Sequence, residues 1–361
     1  MSVADERALA LQAWAVDWLG RERPDLVPAG DLSTVSGDAS FRRYFRLPLA
    51  EGSRLPISRG SLIAVDAPPE KENSRPFVAI ARALRAHGVH VPEVIAADFG
   101  LGFMLLEDFG DSLLRPALTE STVDALYTRS MQTLLHVLAC EAVPGYELPL
   151  YDRKRLIDEM GLLRDWFIPR YLGMSLNTEQ QAVLENAFVT IADAVTKQPQ
   201  VFVHRDYHSR NLMLLADGEI GVIDFQDAVS GPITYDLASL LRDAYVVWPQ
   251  AQVEAWVKQF AALLREEGRL SAADEAAFPR WFDWMGAQRH LKVVGIFARL
   301  SIRDGKHGYL NDIPVVFNYL LAEIQPYPEL HALFELLRTV ILPAYLEKQP
   351  AARVVLGHWV A

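Results

Sequence analysis

The chain of 361 residues predicts an α+β fold in two parts: a small N-terminal β-sheet lobe with one helix, and a large, mainly helical C-terminal lobe. Three observations carry this reading. Residues 34–106 alternate short β-prone runs with a single helical run. From Ser112 onward apolar residues recur mostly at helical spacing. Residues 201–236 interrupt that spacing with short apolar strands and a run of Asp, His, Arg and Asn.

Leu9, Leu11, Trp14, Val16, Trp18 and Leu19 mark an amphipathic packing helix over Asp5 to Leu19, stopped at Gly20. The small residues of Thr34 to Phe41 then read as a tight turn between strands, the second strand running through Arg42 to Leu47. Backbone N–H groups in such a turn can approach phosphate oxygens, so Ser36, Gly37 and Ser40, with Arg43 beyond them, are candidate nucleotide contacts. Taken alone, a single glycine there is an ordinary hairpin. Ser61 to Val65 is a third strand, stopped by Pro68-Pro69. A helix follows, with Ser74 as N-cap, Pro76 in the first turn and Gly88 past its end. Val94 to Ala97 and Phe103 to Leu106 are two more strands, turned at Gly100 and Gly102. Glu107 to Asp111 is a polar connector. As a hinge its backbone would face a nucleotide base, with Glu107 and Phe109 as candidate contacts; otherwise it is a plain acidic turn. The expected lobes are therefore 1–106 and 112–361, with 107–111 between them.

Ser121 and Asp124 fit a capping box. The broad stripe from Val123 to Leu138 places that helix at the centre of its lobe, ending before Pro144-Gly145. Further helices are expected near 152–171, 178–197, 235–246, 251–267, 272–303, 312–325 and 329–346.

Composition narrows the function. A net charge of −11 and a pI near 5.3 argue against nucleic-acid binding, which needs surplus Lys and Arg. Cys140 is the single cysteine, so no intrachain disulfide forms. The N-terminus lacks a basic start and an unbroken apolar run, and no stretch approaches the roughly 18–20 apolar residues that span a bilayer. A cytoplasmic protein without membrane partners is expected; the oligomeric state stays open.

The chemistry concentrates in Val201 to Asp236. Asp206 lies in a loop after the strand-like Val201-Phe202-Val203. Asn211 and Asp224 flank two apolar strands joined at Ala216-Asp217-Gly218, a hairpin that brings them side by side. Aspartate, asparagine and aspartate in this order suit phosphoryl transfer. Asp206 is the candidate base at an acceptor hydroxyl. Asn211 and Asp224 offer hard oxygen ligands to Mg²⁺, with ATP as the phosphate donor.

On these residues, and on the β-β-β-α-β-β order before them, the chain resembles the aminoglycoside phosphotransferase and choline kinase group of protein-kinase-like folds. The resemblance runs from about Asp31 to Asp243 and includes Gly231-Pro232 and Tyr235-Asp236-Leu237-Ala238. It implies that Asp236 braces the catalytic loop. Ser36 to Tyr44, Asp66 to Glu70, Leu106 to Asp111, His204 to His208, Gln288 to Lys292 and Arg303 to Lys306 further resemble the bacterial anomeric sugar kinases of cell-wall recycling. That resemblance implies transfer from ATP to the anomeric hydroxyl of N-acetylmuramate or N-acetylglucosamine.

Two departures stand out. The third strand, Leu62-Ile63-Ala64-Val65-Asp66, lacks the lysine that normally binds nucleotide phosphates. The helix Arg75 to His87 lacks the glutamate that would pair with it. Mg²⁺, backbone amides of Ser36 to Ser40, Arg42, Arg43 or Lys71 must then meet the phosphate charge. For the acceptor, sugar hydroxyls and a carboxylate call for polar and cationic partners. Arg205, His208, Arg242, Arg289 and Arg303 are the leading candidates. Arg210, Asp243, Trp248, Trp284, Lys292 and Arg299 are further ones, and Trp281 and Trp284 suit the core better. Two other readings stand beside the amino-sugar kinase: a kinase for an aminoglycoside, choline or similar metabolite, and a pseudokinase acting as a binding module.

Overall fold

The computed structural model describes residues 5–35, 41–53 and 60–360. In chain order the elements are α1 (Glu6–Glu22), β1 (Ser33–Thr34), β2 (Arg43–Pro48), β3 (Ser61–Asp66), α2 (Ser74–Ala86), β4 (Val94–Asp98), β5 (Phe103–Glu107), α3 (Leu114–Ala117), α4 (Val123–Leu138), α5 (Arg153–Leu162), α6 (Thr178–Val195) and β6 (Gln200–Val203). They continue as β7 (Leu212–Leu214), β8 (Ile220–Val222), β9 (Val229–Pro232), α7 (Tyr235–Leu241), α8 (Gln250–Glu266), α9 (Ala272–Asp304), α10 (Ile313–Ile324), α11 (His331–Leu336), α12 (Leu342–Lys348) and α13 (Arg353–Leu356). Two compact units result, one of residues 1–148 with 210–228 and one of 149–209 with 229–361.

The first unit is built on an antiparallel sheet ordered β1-β2-β3-β5-β4. Asp66 at the end of β3 stands opposite Arg43, and Leu62 opposite Glu107. Leu11, Ala15 and Leu19 of α1 bury against Phe45, Leu62, Ala64 and Leu105 of the sheet. At the β4–β5 turn a Cβ on Gly102 would lie 2.1 Å from the Ala67 carbonyl, and its φ is +74°, so glycine is required there. The helix after β3 starts one residue earlier than the sequence suggests: Asn73 is the N-cap and accepts from the Arg75 N–H at 3.1 Å, while Ser74 is already helical. The expected capping box on α4 does not form. Thr122 is the N-cap and turns its hydroxyl back to the Ala117 carbonyl at 2.6 Å. The N-terminal helix runs through Gly20 to Glu22.

This unit also holds α3, α4 and the β7–β8 hairpin. Leu214 N–H donates to the Ser112 carbonyl at 2.8 Å and Val222 N–H to the His90 carbonyl at 2.7 Å. These bonds fasten the β7–β8 hairpin to the sheet side of the chain.

In the second unit α9 is the central element, a helix of 33 residues with a Ser271–Asp274 capping box and Gly305 as its left-handed end. Its inner face, including Met285, Leu291, Val294 and Ala298, joins a core with Phe167, Phe188, Phe317 and Tyr345. The expected 152–171 helix is α only to Leu162 and widens to a π-helix over Leu163–Leu172. Pro169 inside that segment has no N–H to donate, which weakens regular α bonding there. The expected 235–246 helix ends at Leu241, because Arg242 leaves helical geometry. The 329–346 helix is likewise broken into short α, 3₁₀ and π pieces. β6 pairs antiparallel with β9, a strand the sequence reading left unassigned.

Candidate active site

In the first unit, the β7–β8 register sets Leu212 opposite Val222 and Leu214 opposite Ile220. Ile223 N–H continues the ladder to the Asn211 carbonyl at 3.0 Å. The hairpin thus brings Asn211 and Asp224 together, with Asn211 Nδ2 at 3.3 Å from Asp224 Oδ2. Asp224 has a φ of +65°, a costly left-handed conformation for a residue with a Cβ. Its neighbours hold it there. Gln226 Nε2 donates to Asp224 Oδ1 at 2.7 Å, and the buried Phe225 ring lies 4.8 Å from that of Phe77 on α2.

In the second unit, β6 leads into the loop that carries Asp206. Arg205 is also left-handed, at a φ of +77°. The buried Asp236 carboxylate accepts from the His204 N–H at 2.6 Å and the Arg205 N–H at 3.0 Å. Arg289 Nη1 donates to the Arg205 carbonyl at 3.0 Å. Both peptide groups of the strained residue are therefore occupied, which fixes the direction of the next side chain. Burial pushes the Asp236 carboxyl up to about 7, against the two backbone bonds that favour its charged form. Ser209 at the end of the loop donates N–H to Asp243 at 3.0 Å, so Asp243 braces the loop.

Asp206 opens into a cavity of about 110 Å³. Its polar wall includes His208, Arg289 and Lys292; its apolar wall is Val293, Ile296, Phe297 and Val316. Burial would raise the Asp206 pKa, but His208, Arg289, Lys292 and Arg205 outweigh it and hold the group below the ordinary carboxylate value. Asp206 is thus ionised at neutral pH. The cations are balanced by Glu159, which the sequence reading did not single out. It accepts from Arg205 Nη2 at 2.7 Å, lies 2.9 Å from Lys292 Nζ and also takes the Tyr151 hydroxyl. Tyr235 offers its hydroxyl to Arg289 at 3.2 Å and Lys292 at 3.1 Å. Tyr235 stands inside a motif visible in the sequence; Glu159 carries no such mark.

The remaining predicted residues divide. His208 lies on the cavity wall, edge-on to the Tyr245 ring at 5.6 Å. Arg242 touches the cavity, but its buried guanidinium is held by Asp283 at 2.6 Å and Glu323 at 2.7 Å, a bracing role. Arg303 is exposed on α9, bonded to Asp304 at 2.7 and 2.9 Å, and does not line the cavity. Trp284 is core.

On the nucleotide side, Ser36, Gly37 and Ser40 lie outside the described residues. Arg43 bonds Asp66 and Asp5, and Arg42 lies 3.3 Å from Glu72. Lys71 sits 4.6 Å over the Phe41 ring; among the described residues it alone of these three has no carboxylate partner. The Glu107 side chain faces Arg85 and the Glu93 N–H. Phe109 covers Gly221, where a Cβ would come within 2.8 Å of its ring.

The residue types at Asn211 and Asp224 fit Mg²⁺. The two side chains are adjacent, and one neutral amide with one carboxylate would leave the remaining coordination to water and phosphate, as this ion prefers.

A choline/ethanolamine kinase family protein from Mesorhizobium loti superimposes with a TM-score of 0.58 at 14% identity, over 90% of this chain and 99% of its own. The aminoglycoside phosphotransferase APH(4)-Ia does so at 0.54 and 15%, over 88% and 98%. These likenesses carry the fold alone, which is protein-kinase-like. In sequence, the N-acetylmuramate/N-acetylglucosamine kinase of Pseudomonas putida is 42% identical, over 92% of this chain and 97% of its own length. The protein of the same name from Neisseria meningitidis is 39% identical over 88% and 92%. Residues 31–276 match the phosphotransferase enzyme family, and the chain belongs to that family.

Proposed function

We propose that this protein is an ATP-dependent kinase that phosphorylates the anomeric hydroxyl of an amino sugar, N-acetylmuramate or N-acetylglucosamine, in the recycling of cell-wall sugars. The observation that carries the reading is the cavity at Asp206, in a chain 42% identical over nearly its whole length to a kinase named for those two sugars. The apolar wall suits a pyranose face and an N-acetyl methyl group, and the polar wall suits hydroxyls and an acid. A cationic wall disfavours choline and aminoglycosides as acceptors.

In the reaction, the ionised Asp206 carboxylate accepts or directs the proton of the anomeric hydroxyl. The hydroxyl oxygen bonds to the γ-phosphorus as the bond to the β-phosphate oxygen breaks, giving sugar 1-phosphate and ADP. Arg289 and Lys292 keep Asp206 charged, and Asp236 keeps its loop in place. Asn211 and Asp224 would hold Mg²⁺, which supplies charge neutralisation to the phosphate oxygens. Lys71 is the cation offered to phosphate in place of the absent lysine on β3. Among the described residues no helix is long and apolar enough to cross a membrane, and a cytoplasmic enzyme acting on small molecules is part of this reading.

The test is an assay of the purified protein with Mg·ATP and a panel of amino sugars, read by phosphorus NMR. The expected product couples phosphorus to the anomeric proton. Phosphate on another hydroxyl overturns the anomeric assignment. Absence of both turnover and nucleotide binding favours a pseudokinase.

A further inference from the structure

The cations near the acceptor cavity differ in what neutralises them. Arg205 and Lys292 share Glu159. Arg242 has Asp283 and Glu323, and Arg303 has Asp304. Arg289 is bonded to the Arg205 carbonyl and the Tyr235 hydroxyl, and Asp206 and Asp236 favour its charge. Arg299 forms no such ion pair or hydrogen bond among the described residues. It is half-buried on α9, and its Nε is buried without a hydrogen-bond partner among the described residues. Burial and the neighbouring Arg303 both disfavour its charge, more than Asp304 and Glu159 restore it. A guanidinium so placed is a site short of an anion.

Its position says which anion. Lys292, Ile296 and Arg299 follow one another on the same face of α9, at the i, i+4, i+7 spacing of a helical stripe. Arg299 therefore stands about 10 Å along the helix from Lys292. Ile296, part of the cavity's apolar wall, lies between them. Arg299 itself lies outside the cavity lining, about one helical turn beyond Ile296, so it is placed to meet a substituent that reaches past a ring seated at Asp206 rather than the ring itself.

We infer that Arg299 is the residue that selects acceptors carrying a carboxylate, by pairing with that group on the sugar, and that it contributes little to the neutral sugar. This rests on the amino-sugar kinase reading. Within it, the two sugars are a built-in control, because N-acetylmuramate carries a lactyl acid that N-acetylglucosamine lacks.

The experiment measures kcat/KM for both sugars, and binding of each by calorimetry, on the intact protein and on Arg299→Gln and Arg299→Lys. Arg299→Gln is expected to lower the ratio of N-acetylmuramate to N-acetylglucosamine efficiency by roughly ten- to a hundredfold, the worth of a charge-assisted hydrogen bond. The loss should fall in KM, and Arg299→Lys should recover part of it. Turnover of the neutral sugar reports that the variant is folded. An unchanged ratio, or an equal loss on both sugars, overturns the role of Arg299 and leaves the kinase reading standing. If the parent protein neither binds nor phosphorylates either sugar, the kinase reading falls and takes this assignment with it.

Discussion

Arg205 and Asp206 divide the work of presenting a base. Arg205 takes the strained backbone, and the bonds from Asp236 and Arg289 hold it, so Asp206 can stand charged at the cavity wall. Asp206→Asn is expected to keep nucleotide binding and lose turnover by about 10²-fold or more, as removing a positioned base does. Turnover equal to the parent would remove Asp206 from the mechanism. Asp236 gives a second expectation, from pH. Its folded value is raised from an ordinary 3.8 to about 7, so the folded state binds the proton more readily than the unfolded chain. The stabilising contribution is complete below about pH 4 and is lost as pH rises through 7. The parent should therefore lose stability relative to Asp236→Asn across that window in denaturant titrations. A difference that stays flat with pH contradicts the assignment. The meeting of Asn211 with Asp224 was legible because a short hairpin lies between them. Glu159 was not, since it meets Arg205 from 46 residues away and no spacing in the sequence encodes that pairing.

At the scale of elements, the periodic signals located nearly every helix and strand, and local competition decided their ends. Asn73 outcompeted Ser74 for a cap, and Thr122 spent its hydroxyl on Ala117. What periodicity could not supply is where elements cross. The helix α9 was visible in sequence, yet Gly295 on it looked like any helical glycine. A Cβ there would lie 2.2 Å from the Leu162 carbonyl carbon and 2.4 Å from the Leu163 nitrogen, where α5 passes into its π segment. Backbone atoms cannot yield as a flexible side chain can. Gly295→Ala is expected to destabilise the protein by about 1–3 kcal/mol through overpacking, despite its better helix propensity. Thermal unfolding checks this, with Gly308→Ala as control, since a Cβ at Gly308 meets nothing within 4 Å. Equal melting of the two variants would mean the crossing is not tight.

For the whole molecule, the sequence anticipated the class of fold. Chain order suggests a division at the connector 107–111, and by contacts the β7–β8 hairpin and α4 group with the sheet. Backbone bonds from Leu214 to Ser112 and from Val222 to His90 link segments too far apart in sequence for any pattern to reveal. Asn211 and Asp224 therefore belong to a hairpin held by backbone hydrogen bonds within itself and to Ser112 and His90. Asp224 is already bonded to Gln226 and lies against Asn211, and among the described residues there is no cluster of three or more His, Cys, Asp or Glu side chains that could hold a metal by itself. Two protein oxygens are too few to retain Mg²⁺ tightly without phosphate. A chelator is thus expected to stop phosphoryl transfer while leaving the thermal midpoint of the nucleotide-free protein unchanged, and to abolish the stabilisation that ATP confers with Mg²⁺ present. A fall in the midpoint of the nucleotide-free protein on chelation would mean that the ion is a structural part of the fold.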